Sequence, residues 1–200
     1  MVHKDISGLR NNHANNKHAH GPSSFWMQDP KLVFKELGLE KGDCFLDMGS
    51  GPGDFAIQAA RIIGGSGIVY ALDKWQYLID NLTKEAQALG LKNVRALVSD
   101  ITGPIPIKDG CVNVCLLSNV LHVFDLARYG KAMFNEIRRV LNPNGRMAIM
   151  ECKKEDQPFG PPKNIRLEPE EIEELTTQYG FKKISIVTFK YNYMINLVLK

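Results

Sequence analysis

The sequence predicts an α/β protein: a doubly wound, seven-stranded, mostly parallel sheet of Rossmann-like type whose last strand is antiparallel. Three observations carry that expectation. From residue 44 onward, short apolar runs alternate with longer stretches of helical period. A glycine cluster, Gly49-Ser50-Gly51-Pro52-Gly53, separates the first apolar run from the helical pattern after it. The two runs that close the chain are joined only through 190–192. That link suits an antiparallel pair and cannot make a parallel crossover.

The elements follow in order. Residues 1–28 read as a polar arm or lid, rich in Asn and His and without periodicity, ending on the apolar cluster Phe25-Trp26-Met27. A single domain over 29–200 follows. Asp29-Pro30 is an N-cap with proline at the first helical position, and Gly38 stops that short helix. Residues 44–48 are a buried strand. Residues 54–63 are a helix ended by Gly64-Gly65. Strands over 67–72 and 94–98 flank a helix over 75–89. Residues 112–117 form a fourth strand, apolar enough to be buried on both faces. A helix over 126–141 ends at Asn142-Pro143-Asn144-Gly145, before a fifth strand at 146–150. A helix over 168–179 opens on acidic residues, as its dipole favours. Strands at 183–189 and 191–199 finish the chain.

Composition bounds the function. Two hundred residues suit one domain with a real core. A net charge of +3 gives no basic footprint for DNA. The N-terminus has no apolar h-region. The longest apolar stretch, 114–124, is interrupted by Ser118, Asn119 and His122 and is too short to span a bilayer. Cys44, Cys111, Cys115 and Cys152 show neither C-x-x-C nor zinc spacing, so no metal is expected and a reducing, cytoplasmic setting fits. His13, His18 and His20 in the arm lack an acid nearby to complete a metal site, and a lid role suits the arm better.

The glycine cluster sits where open α/β sheets bind ligands. No G-K-[ST] follows, which excludes a Walker A loop. Counted from Gly49, the last glycine of a dinucleotide fingerprint is replaced by Asp54, whose carboxylate would repel a pyrophosphate. Counted from Gly51, the looser form ending in Ala56 is met, so a nicotinamide-dependent oxidoreductase stays open as an alternative. Acids recur at strand ends. Asp47 precedes the first glycine, Asp73 ends the second strand and Asp100 follows the third. A carboxylate at Asp73 can accept from both hydroxyls of a ribose, and one at Asp100 from an adenine amino group. Taken singly, each could equally cap a helix or form a turn. Three at equivalent ends beside a glycine loop point to a ligand.

These segments, FLDMGSGPG, ALDKW, VSDI, CLLSNVLHVF and RRVLNPNGRMAIME, together resemble the ordered motifs of the class I S-adenosylmethionine-dependent methyltransferases. The branch they are most similar to holds the ubiquinone/menaquinone-biosynthesis and arsenite enzymes. The resemblance covers residues 29–200. It implies S-adenosylmethionine as methyl donor and S-adenosylhomocysteine as product. It places the amino-acid end of the donor on Asp47, Gly49, Ser50, Gly51, Pro52 and Gly53. It places the ribose at Asp73 and Lys74, the adenine at Asp100 and Ile101, and the reacting methyl near Ser118 and Asn119. Asn113 departs from the Phe-Asp pair that often opens the fourth strand. The absence of N-P-P-[YF] after that strand speaks against amino-methylation of DNA bases.

His122 is the candidate catalytic base, with loop packing as its plain alternative. Only the arm 1–30 and the proline-bearing loop 153–167 could build an acceptor pocket, which favours a small molecule or a pocket completed by a further subunit, as in a homo-oligomer. A non-catalytic S-adenosylmethionine-binding subunit is the third reading.

Overall fold

The structure is a computed structural model and describes residues 23–200. The arm histidines therefore lie outside the described residues. Seven strands form one sheet: β1 (Cys44–Met48), β2 (Ile68–Asp73), β3 (Val94–Val98), β4 (Val112–Ser118), β5 (Leu141–Cys152), β6 (Phe181–Thr188) and β7 (Asn192–Leu199). Their spatial order is β3-β2-β1-β4-β5-β7-β6. β7 runs antiparallel to both β5 and β6, while the pairs among β1–β5 are parallel.

Five helices cover the sheet: α1 (Pro30–Leu37), α2 (Asp54–Ile63), α3 (Gln76–Ala88), α4 (Leu126–Val140) and α5 (Pro169–Gln178). Side chains alternate across each strand. Phe45 of β1 packs with α1 and α2, through Phe34, Phe55, Ala59 and Ile63. Leu46 and Met48 belong to the opposite core, with Phe134 and Ile137 of α4 and Ile172 of α5. All five β1 residues are buried, as a strand covered on both faces must be. The helix ends follow their caps. Asp29 accepts from the Lys31 amide, Gly38 closes α1 in the left-handed region at φ 52°, and the Arg146 guanidinium takes the carbonyls of Leu37 and Gly38. Glu168 and Glu171 form a capping box on α5.

Sequence order reverses between β1 and β4, so a crevice opens at their carboxyl ends. Most boundaries fall within two residues of those expected. β5 differs. Asn142–Gly145, expected as a loop, belongs to the strand, which starts at Leu141 opposite Val112 and shifts register before Arg146 meets Val114. Gly145 permits this, because a Cβ there would stand 2.7 Å from the Val112 carbonyl oxygen. Three short 3₁₀ turns, Ser24–Met27, Leu121–Val123 and Lys163–Ile165, were not foreseen.

Candidate active site

A cavity of about 570 Å³ occupies the crevice, within the usual range for small-ligand sites. Its wall brings together Asp47, Gly49, Ser50, Gly51, Pro52, Asp73, Lys74, Asp100, Ile101, Ser118, Asn119 and His122. Of the expected site residues only Gly53 stands apart. It is the buried N-cap of α2 at φ 90°, and a Cβ there would come within 2.4 Å of Leu82 Cδ1. Its glycine serves helix packing. Gly51 is the opposite case: at φ 52° a Cβ would meet no atom of the described residues within 4 Å beyond its own chain neighbours. The space in front of it belongs to the cavity.

The loop's amides are already used. Gly49 and Ser50 both donate to the Leu72 carbonyl at 2.8 Å, and Gly53 donates to Ser50 O at 2.9 Å. Gly51 donates to Asp73 Oδ2 at 2.9 Å, and Pro52 has no amide hydrogen. A pyrophosphate needs free amides at such a turn. Here a carboxylate from the chain itself has taken the one that faces it.

The three acids differ in setting. Asp73 is buried and also accepts from the Trp75 amide at 3.0 Å. Asp100 is exposed and accepts the amide and hydroxyl of Thr102 on Oδ1, which holds its carboxyl below the usual range. Both thus form turns while lining the cavity. Asp47 is 1% exposed, and its Oδ2 has no partner among the described residues. Burial, then the carboxylates of Asp73 and Asp54, push its pKa up to about 8, against a hydrogen bond from the Ala56 amide. The Ser50 hydroxyl, also buried on this wall, has no partner either. Two orphaned polar groups beside one cavity mark where a bound molecule's polar atoms belong.

The β4 end is held in an uncommon shape. Asn119 has φ 53°; its amide donates to Met150 O at 2.7 Å, and its Oδ1 accepts from Nδ2 of the fully buried Asn192 at 3.0 Å. Beyond it, Val120, Leu121 and His122 turn around the carboxylate of Glu151, the next-to-last residue of β5, which is 1% exposed. Oε1 accepts from the Val120 and Leu121 amides at 3.0 and 2.8 Å, and Oε2 stands 2.7 Å from His122 Nδ1. Glu151 was not among the expected site residues.

Two further segments complete the wall. Ser23, Ser24 and Met27 approach from one side, tied down by Ser24 Oγ to Ser118 Oγ at 2.8 Å. In the same turn Phe25 is buried against Phe34 and Phe55. From the other side come Phe159, Gly160 and Pro161. The buried Arg166 holds this loop by donating to the carbonyls of Pro161, Lys153, Glu155 and Phe159. Cys152 also faces the cavity, its thiol pushed up to about 11 mainly by burial. Cys44 is buried and pushed up to about 12; Cys111, by contrast, is only half-buried. Asn113 spends its Oδ1 on the Cys44 amide at 2.8 Å, a bond between β4 and β1 away from the cavity.

Fold and site together define a methyltransferase domain, and the chain belongs to that family: the model of the methyltransferase domain matches residues 39–195. Among its relatives, an arsenite methyltransferase of Halobacterium salinarum is 31% identical over 134 residues, which is 67% of this chain and 32% of that protein. A 2-phytyl-1,4-naphtoquinone methyltransferase of Trichormus variabilis is 30% identical over 132 residues, 66% of this chain and 55% of that protein. The chain thus spans about half the length, or less, of these curated relatives. A crystal structure of an S-adenosylmethionine-dependent methyltransferase from Aquifex aeolicus superposes with a TM-score of 0.81 at 29% identity, over 90% of this chain and 94% of that one. The residues present fit such a cofactor. A buried acid whose Oδ2 has no partner among the described residues suits an ammonium group, and the free space before Gly51 admits a ligand against the backbone. No helix of the described residues is long and apolar enough to cross a membrane.

Proposed function

We propose that the chain is an S-adenosylmethionine-dependent methyltransferase acting on a small molecule with an apolar body. The observation that carries the reading is the acid-lined, amide-saturated glycine turn. A dinucleotide's phosphates would find no free backbone amide on Gly49, Ser50, Gly51 or Gly53, whereas an ammonium group would find Asp47. When bound, S-adenosylmethionine supplies a methyl group on a cationic sulfur. Asp47 with Gly49–Gly53 would hold its amino-acid end, Asp73 and Lys74 the ribose, Asp100 and Ile101 the adenine. Ser118 and Asn119 would face the reacting methyl, and His122 would accept a proton from the acceptor. Val123, Phe124, Phe159 and Pro161 give the acceptor end an apolar wall. Four free thiols suit a reducing, cytoplasmic compartment.

Calorimetry with S-adenosylhomocysteine and with NAD tests the cofactor. Binding of NAD without S-adenosylhomocysteine would sink the proposal. Radiolabelled methyl transfer onto 1,4-dihydroxynaphthalene and onto arsenite, chosen after the relatives' names, tests the acceptor. Cofactor binding with no transfer to either or to a small-molecule extract would favour the non-catalytic subunit.

A further inference from the structure

We propose that Glu151 is a positioning residue that fixes the tautomer of His122 and so makes its free ring nitrogen the proton acceptor. The inference rests on the methyltransferase reading and adds to it a residue that touches neither cofactor nor acceptor.

A carboxylate has lone pairs and no hydrogen to give, so the 2.7 Å contact requires the proton of neutral His122 to sit on Nδ1. Nε2 is then left with its lone pair, and His122 is one of the residues that line the cavity. Burial makes the arrangement stiff. Glu151 is 1% exposed and the His122 side chain 9%, so bulk water hardly competes for the carboxylate. The neighbours do not compete. Tyr193 faces Glu151 across the β5–β7 pair, but its hydroxyl donates to Leu167 O at 2.7 Å, and burial pushes it up with Glu151 adding to the effect. The adjacent Cys152 thiol, pushed up to about 11, stays neutral near pH 7. When an acceptor X–H passes its proton to Nε2, X keeps the bonding electron pair, and the positive charge on the ring lies against the Glu151 carboxylate. The acceptor therefore carries a hydrogen on its nucleophilic atom, as a hydroxyl does.

A purely structural role would have Glu151 serve only the Val120 and Leu121 amides, which Oε1 does alone. Glu151→Gln separates the two. Its carbonyl oxygen can still accept both amides, but its NH₂ now faces His122 Nδ1. That reverses the tautomer and places a hydrogen on Nε2.

The test is long-range ¹H–¹⁵N NMR of histidine-labelled full chain, with the His122 signals assigned by their loss in His122→Asn. The wild type should show the Nδ1–H form and Glu151→Gln the Nε2–H form, with S-adenosylhomocysteine affinity unchanged within about twofold. With 1,4-dihydroxynaphthalene as probe, kcat should fall about 100-fold or more with KM little altered. A wild-type Nε2–H tautomer overturns the inference whether or not the variant folds, as does a variant that keeps the wild-type tautomer. The NMR result stands apart from transfer assays. Loss of cofactor binding by the wild type would refute the methyltransferase reading, while the tautomer comparison would still decide the role of Glu151.

Discussion

Replacing Asp47 with Asn exposes the stored electrostatic cost of the site. Asp47 is buried beside two other carboxylates and its pKa rises to about 8, against about 3.9 for an unfolded aspartate. The folded chain thus keeps a proton that the unfolded chain has released. Its stabilising share is fully present below pH 4 and is lost as pH rises through 8. Each pH unit between those values removes about 1.4 kcal/mol, which accumulates to about 4 kcal/mol at pH 7 and on the order of 5 kcal/mol above pH 8. Asn has the same shape and no titrating proton. The stability gain of Asp47→Asn over the wild type should therefore be near zero at pH 4 and grow with that slope to pH 8. Urea denaturation of both proteins at pH 5, 6, 7 and 8 measures it. A gain independent of pH, or a variant less stable at pH 8, would refute the reasoning. The same substitution should weaken S-adenosylhomocysteine about tenfold or more, because an ammonium group favours the charged acid. Calorimetry at pH 7 in buffers of different ionisation heat should find close to one proton released by the wild type and none by Asp47→Asn.

Other substitutions probe the frame of the site. Gly53→Ala should cost about 2–4 kcal/mol in thermal or urea unfolding, from its φ of 90° and its collision with Leu82. Gly51→Ala should cost only about 1 kcal/mol of stability and show its main effect as lost cofactor affinity by calorimetry, since its Cβ enters the cavity. Arg166→Met leaves four carbonyls without their donor; we expect about 2–3 kcal/mol less stability in melts and a raised KM for the acceptor, with S-adenosylhomocysteine binding unchanged. Phe25→Ala removes a ring packed on Phe34 and Phe55 and should cost about 3 kcal/mol in denaturant unfolding.

What could be read from the sequence depended on how local the cause was. The bounds of β1 and α2 follow from apolar period and flanking glycines, and both were placed to the residue. Asp47, Asp73 and Asp100 stood out because each closes or follows an apolar run. Glu151 closes one too, in MAIME, but its meaning lies in a bond to a residue 29 positions earlier. Only the β4–β5 pairing brings those residues together, and periodicity does not reveal which strand ends are neighbours. Spacing likewise cannot separate Gly51, which faces a cavity, from Gly53, which faces a leucine. At Asn142–Gly145 the strong turn signal was overruled by the strand that carries it.

The left-handed backbone at Asn119 also limits how this chain can drift in evolution. At φ 53° a β-branched or bulky side chain would be an outlier, so Asn, Asp and Gly are the residues the position accepts readily. Glycine would relieve the backbone and surrender the side-chain bond to Asn192, leaving that buried amide only the weak Cys152 Sγ acceptor at 3.8 Å. Aspartate is the one change at 119 that keeps both the backbone shape and an acceptor for Asn192. Among the chain's descendants, any replacement at 119 other than Asp should come with a replacement at 192.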